Sequence, residues 1–227
     1  MPPSSEHEPP KRPAPPRQPR GPLRALEAGE LHDEGRWAGR VLEGQALEHR
    51  VLNAAAFEAS VFRGVNLRAV HWRSVRLTDV RFEDCDLSGA RWEEGSLTRV
   101  AFVNCRLLGL QLPELSLRDV ELSRSQAALS FWFRAEARHL WLEGCDLSEA
   151  SFQEARLPGA VVRGCRLARA DFRGARLEGA DLRGSELQGA RLGLRELAGV
   201  TVEPVQLLAL APLLGVTVRA LENDSAG

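Results

Sequence analysis

Residues 170–194 read ADFRG ARLEG ADLRG SELQG ARLGL, and set out in fives they repeat. The third residue of each quintet is large and apolar, the first is small, and most of the others are polar or glycine. Extending that frame gives third positions at every fifth residue from 37 to 207. Thirty-three of these 35 are Leu, Phe, Trp or Val, the exceptions being Ala127 and Ala137. From 55 to 190 all 28 first positions are Ala, Val, Cys, Ser, Gly or Leu, and no insertion breaks the frame. A period of five fits neither the 3.6 of a helix nor the 2 of a flat strand. It fits a chain that turns a corner every five residues, with the large side chain filling the interior and the small one beside it. Four such sides close a square coil, and coils stack at the inter-strand spacing of about 4.8 Å.

The A-(D/N)-L-x-x units resemble those of the pentapeptide repeat proteins. The resemblance implies an all-β solenoid, a right-handed quadrilateral β-helix of about eight coils over residues 37–204, roughly 40 Å long. Residues 1–24 then form a tail, 25–36 an N-terminal cap, and 205–227 a short helical C-terminal segment.

The frame assigns the cysteines. Cys85, Cys105, Cys145 and Cys165 are all first positions spaced by multiples of one coil, with Ser125 in the same column. They are expected to be small buried wall residues rather than disulfides or a zinc site, because a column spreads ligands that a metal needs converged. Phe62, Phe82 and Phe102 share one interior column, and Trp72, Trp92, Trp132, Phe152 and Phe172 another. With the interior filled, function must lie outside. No catalytic set is found there: the five histidines share no metal spacing, and no phosphate loop or nucleophile motif occurs. No enzyme, cofactor or metal is expected.

A net charge of −1 over 227 residues gives no global steering toward nucleic acid. No apolar run is long enough to span a membrane, and the N-terminus does not read as a signal peptide, so a cytoplasmic setting is expected. The tail MPPSSEHEPPKRPAPPRQPRGPLR holds five Lys/Arg against two Glu and nine of the thirteen prolines. Such a segment is expected to be disordered or polyproline-like. It reads as a flexible tail or, alternatively, as a basic arm touching DNA, the one place where direct nucleic-acid contact is considered.

Three outward features are candidate interaction surfaces. The first is SFWFRAEARHLWL (130–142), where Phe131, Phe133 and Trp141 point outward in frame. Either they form an exposed aromatic patch, or a bulge turns one inward to fill the space left by Ala127 and Ala137. The second is a pair of acidic belts, Glu83, Asp84, Asp86, Glu93 and Glu94 in one and Glu143, Asp146, Glu149 and Glu154 in the other. The third is TVEPVQLLALAPLLGVTVRA (201–220), where the fives give way to a helical pattern. Pro204 suits its first turn, Gly215 its C-cap, and Pro212 keeps it short. Leu207, Leu208, Leu210, Leu213, Leu214, Val216 and Val218 make it apolar on more than one side. One side caps the last coil; the other is free to meet a twin across a two-fold axis, giving a homodimer.

That segment resembles the C-terminal module of pentapeptide repeat proteins of the Qnr and MfpA type, on Gln206, Leu210, Leu214, Gly215 and Val218. The resemblance implies a head-to-head homodimer that imitates duplex DNA, binds DNA gyrase or another type II topoisomerase, and protects it from quinolones or other gyrase poisons. The acidic belts would then stand in for phosphates. The alternative is a general protein-binding scaffold with a different partner.

Overall fold

The structure is a computed structural model describing residues 11–19 and 21–219. What fixes the fold is visible at the corners. Every fifth residue from Glu34 to Gly189 has positive φ, without exception. These are the fifth positions of the quintets, and each reverses the chain through the left-handed region into the next side. Twelve are glycine, which enters that region freely, but the rest carry side chains that must be held there by the ladders on either side.

The ladders are parallel and, from Arg36 onward, offset by twenty residues. The long strands Arg76–Glu83, Ser96–Val103, Ser116–Ser123 and Glu136–Glu143 each run along two adjacent faces. They pair in succession, Phe82 opposite Phe102 and Phe102 opposite Leu122. Short strands Val51–Asn53, His71–Arg73 and Arg91–Glu93 stack on another face. Single bridges, such as Asp86 to Arg106 and Asp146 to Arg166, build the remaining one. The chain completes about seven turns. We number the faces by their quintets: face one contains 75–79, face two 80–84, face three 85–89 and face four 90–94.

The D/N preference at second positions has a local cause. Each such side chain accepts a hydrogen bond from the backbone N–H two residues on: Asp86 from Ser88 (2.9 Å), Asp146 from Ser148 (3.0 Å), Asp171 from Arg173 and Asp181 from Arg183 (both 3.1 Å). An Asx turn thus prepares the corners that follow these residues.

The core is one column built of third and first positions, closed by Leu26 at one end and Leu210 at the other. The aromatic columns stack as the frame requires: Phe62 on Phe82 at 4.7 Å, Phe82 on Phe102 at 4.9 Å, Trp72 on Trp92 at 5.0 Å and Phe152 on Phe172 at 4.9 Å. The four cysteines are buried and free. Each thiol finds main-chain carbonyls, Cys85 Sγ reaching Phe62 O (3.4 Å) and Glu83 O (3.3 Å), while Ser125 Oγ in the same column donates to Ser123 O (3.0 Å). Serine and cysteine are therefore interchangeable small donors in this wall. The Cys105 and Cys165 thiols are pushed well above the usual range by the sulfur of the neighbouring Cys85 and Cys145 and then by burial.

The two ends depart from the repeat. At the N-terminus Arg24–Ala25 adds a parallel strand to Arg40–Val41, Leu26 is buried, and Gln45 Nε2 holds the Leu26 carbonyl at 2.7 Å. At the C-terminus Leu194–Leu197 winds into a helical turn within the last coil, and the ladder resumes where Thr201 bridges Asp181. Glu196 causes the turn: its carboxylate accepts the Gly193 N–H (2.7 Å) and the Gly174 N–H (3.0 Å). Helix Gln206–Leu210 and a 3₁₀ turn Ala211–Leu214 follow, ending on Gly215 in the left-handed C-cap. Gln206 is buried and donates to Leu182 O (2.8 Å) and Ser185 O (2.6 Å), so it satisfies carbonyls the last coil would leave bare.

The described part of the tail lies against the solenoid. Residues 11–19 have no regular secondary structure, but they are docked rather than free. They run back along the corner between faces one and two, with Ala14 N–H donating to Asp119 (3.2 Å) and Arg17 N–H to Asp79 (2.9 Å). Composition gives such a segment no core of its own; the solenoid supplies the other half of the contact. Residues 1–10 and 20 of the predicted tail lie outside the described residues.

Candidate interaction surfaces

Phe131 and Phe133 remain outward and half-buried, stacked on each other at 5.8 Å with the Arg134 guanidinium 4.7 Å from the Phe133 ring. No bulge intervenes: Ala127 and Ala137 stay inward and buried. Trp141, however, belongs to a quintet two corners further on and lies on the opposite face. The predicted single aromatic patch is therefore two separate features. Nor is Trp141 exposed, at 8% of its accessible surface. Arg163 approaches its ring at 5.7 Å and Arg12 of the tail at 5.1 Å, while its indole N–H donates to Glu143 at 3.2 Å.

The acidic belts are laced to the molecule's own arginines. Glu83 is paired with Arg81 (2.5 Å) and Arg63 (3.1 Å). Glu93 takes His71 (2.8 Å) and Arg91, and the Arg91 and His71 hydrogen bonds together hold its carboxyl at about 2. Glu143 meets Arg12 at 3.0 Å, Asp146 meets Arg166 at 3.3 Å, Glu149 meets Arg169 at 2.5 Å and Glu154 meets Arg134 at 2.8 Å. Asp86 lies 3.9 Å from Arg106; Asp84 accepts from Asn104, and Glu94 from Ser74 at 3.4 Å. Many of these partners sit one coil away. That was the signal missed: a carboxylate with an arginine twenty residues before or after it is answered by its own chain.

A group the sequence did not single out lies at the corner of faces one and two. Asp79, only 7% exposed, is gripped by both ends of the Arg99 guanidinium at 2.5 and 2.8 Å. Burial pushes the Asp79 carboxyl up, but the Arg99 and Arg17 hydrogen bonds outweigh it and leave it below the ordinary range. Asp119 in the same column accepts from His139 (3.0 Å) as well as from Ala14. On face one, Arg118, Arg138 and Arg156 surround a shallow depression of about 320 Å³ over Ala137. Among the described residues no three His, Cys, Asp or Glu side chains converge as metal ligands do, and no helix is long and apolar enough to cross a membrane.

The C-terminal leucines divide. Leu210, predicted at a dimer interface, is buried in the chain's own core at 4% exposure, because it closes the last coil. Leu207, Leu208, Leu213, Val216 and Val218 are exposed, and so are Val205 and Leu194, which the sequence reading passed over. The Leu214 side chain lies outside the described residues.

Square coils with left-handed corners, parallel ladders and an Asx turn at each D/N position make this chain a β-solenoid built on a five-residue repeat. The family model described as pentapeptide repeats matches in eight copies over residues 55–92, 134–167, 145–184 and 163–193. No curated protein matches the sequence at a significant level. Among solved structures, HetL, a pentapeptide repeat protein involved in heterocyst differentiation regulation from the cyanobacterium Nostoc sp. strain PCC 7120, is similar with 22% identity. It covers 75% of this chain and 87% of its own, at a TM-score of 0.41. A trypsin-treated form of QnrB1, a plasmid-mediated fluoroquinolone resistance protein, is 20% identical over 79% of this chain and 99% of its own, with a TM-score of 0.48. These are likenesses of fold.

Proposed function

We propose that the protein is a non-catalytic, cytoplasmic rod that binds another protein and pairs with a second copy of itself through its C-terminal segment. The observation that carries this reading is the contrast between walls and end. The walls are mostly polar and ion-paired, with Val51, Leu108 and Leu129 exposed on them, whereas residues 205–218 expose Val205, Leu207, Leu208, Leu213, Val216 and Val218 in one short stretch. Exposed apolar side chains concentrated in this way mark contact surfaces, and a self-complementary end yields a closed dimer. Light scattering is expected to give twice the chain mass for the wild type and a single chain mass for Leu208→Arg. An unchanged mass between the two rejects the interface.

A finer reading names the partner as DNA gyrase or another type II topoisomerase, shielded from quinolones. It is supported by the C-terminal segment, where Gln206 and Gly215, two of the residues carrying the resemblance, do the local work of seating the module. The ion-paired belts weigh against literal imitation of phosphates, since a carboxylate already answered by arginine offers little to a basic saddle. On this reading the purified protein lowers quinolone-stabilised cleavage by gyrase or inhibits supercoiling. No effect at a large molar excess over enzyme removes the topoisomerase and leaves the scaffold.

A further inference from the structure

The docked tail has a periodicity of its own. Pro13 is buried and Pro16 and Pro19 are half-buried, while Ala14, Pro15, Arg17 and Gln18 between them are exposed. Every third residue therefore faces the solenoid, as in a polyproline II helix, which has three residues per turn and rises about 3.1 Å per residue. One such turn advances roughly 9.3 Å, and two coils of the solenoid advance about 9.6 Å. The two lattices match. Ala14 and Arg17 are one turn apart, and their acceptors, Asp119 and Asp79, are two coils apart on one corner column.

At the far end Arg12 completes the fit. Its guanidinium bridges Glu121 (3.2 Å) and Glu143 (3.0 Å) and lies over the Trp141 ring. Trp141 paired with carboxylates is the chemistry that recognises arginine beside proline in an extended peptide. No contact here is strong alone, because Arg12 is 60% exposed and exposed ion pairs are weak. The segment holds because it is tethered a few residues from the strand Arg24–Ala25, which keeps its local concentration high. A cover of this kind yields to a better ligand.

We propose that this corner, Asp79, Asp119, Glu121, Trp141 and Glu143, is a receptor for extended proline- and arginine-containing segments of a protein partner. Residues 11–19 occupy it in cis and must be displaced. The proposal rests on the reading of the protein as a protein-binding rod and names the chemistry of the partner.

The test uses the full chain and a fluorescent peptide of sequence KRPAPPRQP followed by anisotropy. Arg12→Glu, which repels the tail from Glu121 and Glu143, is expected to bind the peptide about tenfold or more tightly than the wild type does, the worth of one charge-assisted contact. Adding Trp141→Ala is expected to abolish that gain, and adding Glu143→Gln in place of it gives the same loss should the tryptophan variant fold poorly. Equal affinity for wild type and Arg12→Glu, or a gain that survives both second substitutions, overturns the receptor. In the wild type, slowed amide exchange at Ala14 and Arg17 is expected to be independent of protein concentration. Slowing that grows with concentration means the arm comes from another copy, and rejects the cis cover. A chain that dimerises through residues 205–218 but ignores the peptide loses the receptor and keeps the rod. A chain that takes the peptide as a monomer keeps the receptor and loses only the pairing through residues 205–218.

Discussion

Phe82→Ala is expected to destabilise the protein by about 4 kcal/mol, among the largest costs a single truncation carries. Phe82 is fully buried, stacked between Phe62 (4.7 Å) and Phe102 (4.9 Å), and faces Trp92 across the square at 5.8 Å. The cost depends on how well the surroundings collapse into the void. Here they cannot. Phe62, Phe82 and Phe102 are tied to one another by parallel ladders of fixed spacing, so neither neighbour can shift along the axis without breaking main-chain hydrogen bonds. Urea unfolding measures the loss, and Phe82→Leu, which retains most of the volume, should recover the larger part of it. A cost below about 1 kcal/mol for Phe82→Ala would mean that the column is not rigidly packed.

Asp181→Asn is expected to cost about 2 kcal/mol at neutral pH, with the difference from wild type vanishing in acid. The Asp181 side chain is 5% exposed and is paired with Arg183 at 2.8 Å and with Arg163. Burial alone would push its carboxyl up, but the hydrogen bonds from Arg183 and Arg163 outweigh it and hold it at about 2. A carboxyl held below its unfolded value stabilises the fold above about pH 4, and loses that contribution as pH falls through its native value. The asparagine can still accept the Arg183 N–H that prepares the corner, so the comparison isolates the charge. Urea midpoints at pH 7 and near pH 2 check it: a gap that persists undiminished in acid would assign the loss to shape. Asp171, held at about 2 chiefly by Arg173, and Glu93 titrate in the same window. The whole rod is expected to weaken between about pH 5 and pH 2.

The interior was legible because the frame constrains size as well as polarity. A third position must be large and a first position small, and a column at a spacing of twenty follows by counting; the Cys85–Cys105 wall and the Phe62–Phe82–Phe102 stack needed nothing more. The exterior was less so. Phe131, Phe133 and Trp141 are close in sequence, but two corners separate them, and a corner redirects a side chain in a way that hydrophobicity does not record. Leu210 belongs to an apolar helix whose inward side is chosen by the last coil, where Gln206 anchors it to Leu182 and Ser185. The acidic belts looked like a surface field because their arginines lie a coil away rather than beside them. Residues 11–19 carry too little hydrophobicity to predict order, since the energy of docking resides in Trp141 and the carboxylates that receive them.

The unbroken series of left-handed corners bears on how such a chain acquires its length. Because all coils hang on the same twist and touch only their immediate neighbours, a tandem duplication of one coil's worth of coding sequence adds a storey wherever its breakpoints fall. The copy brings its own turns and side-chain register, and only the two ends and the coils that seat residues 11–19 need be spared. A shift of a single codon, by contrast, turns every later wall residue out of the tower. Height in this architecture is a quantity that heredity can change in whole steps, while phase is one it must leave alone.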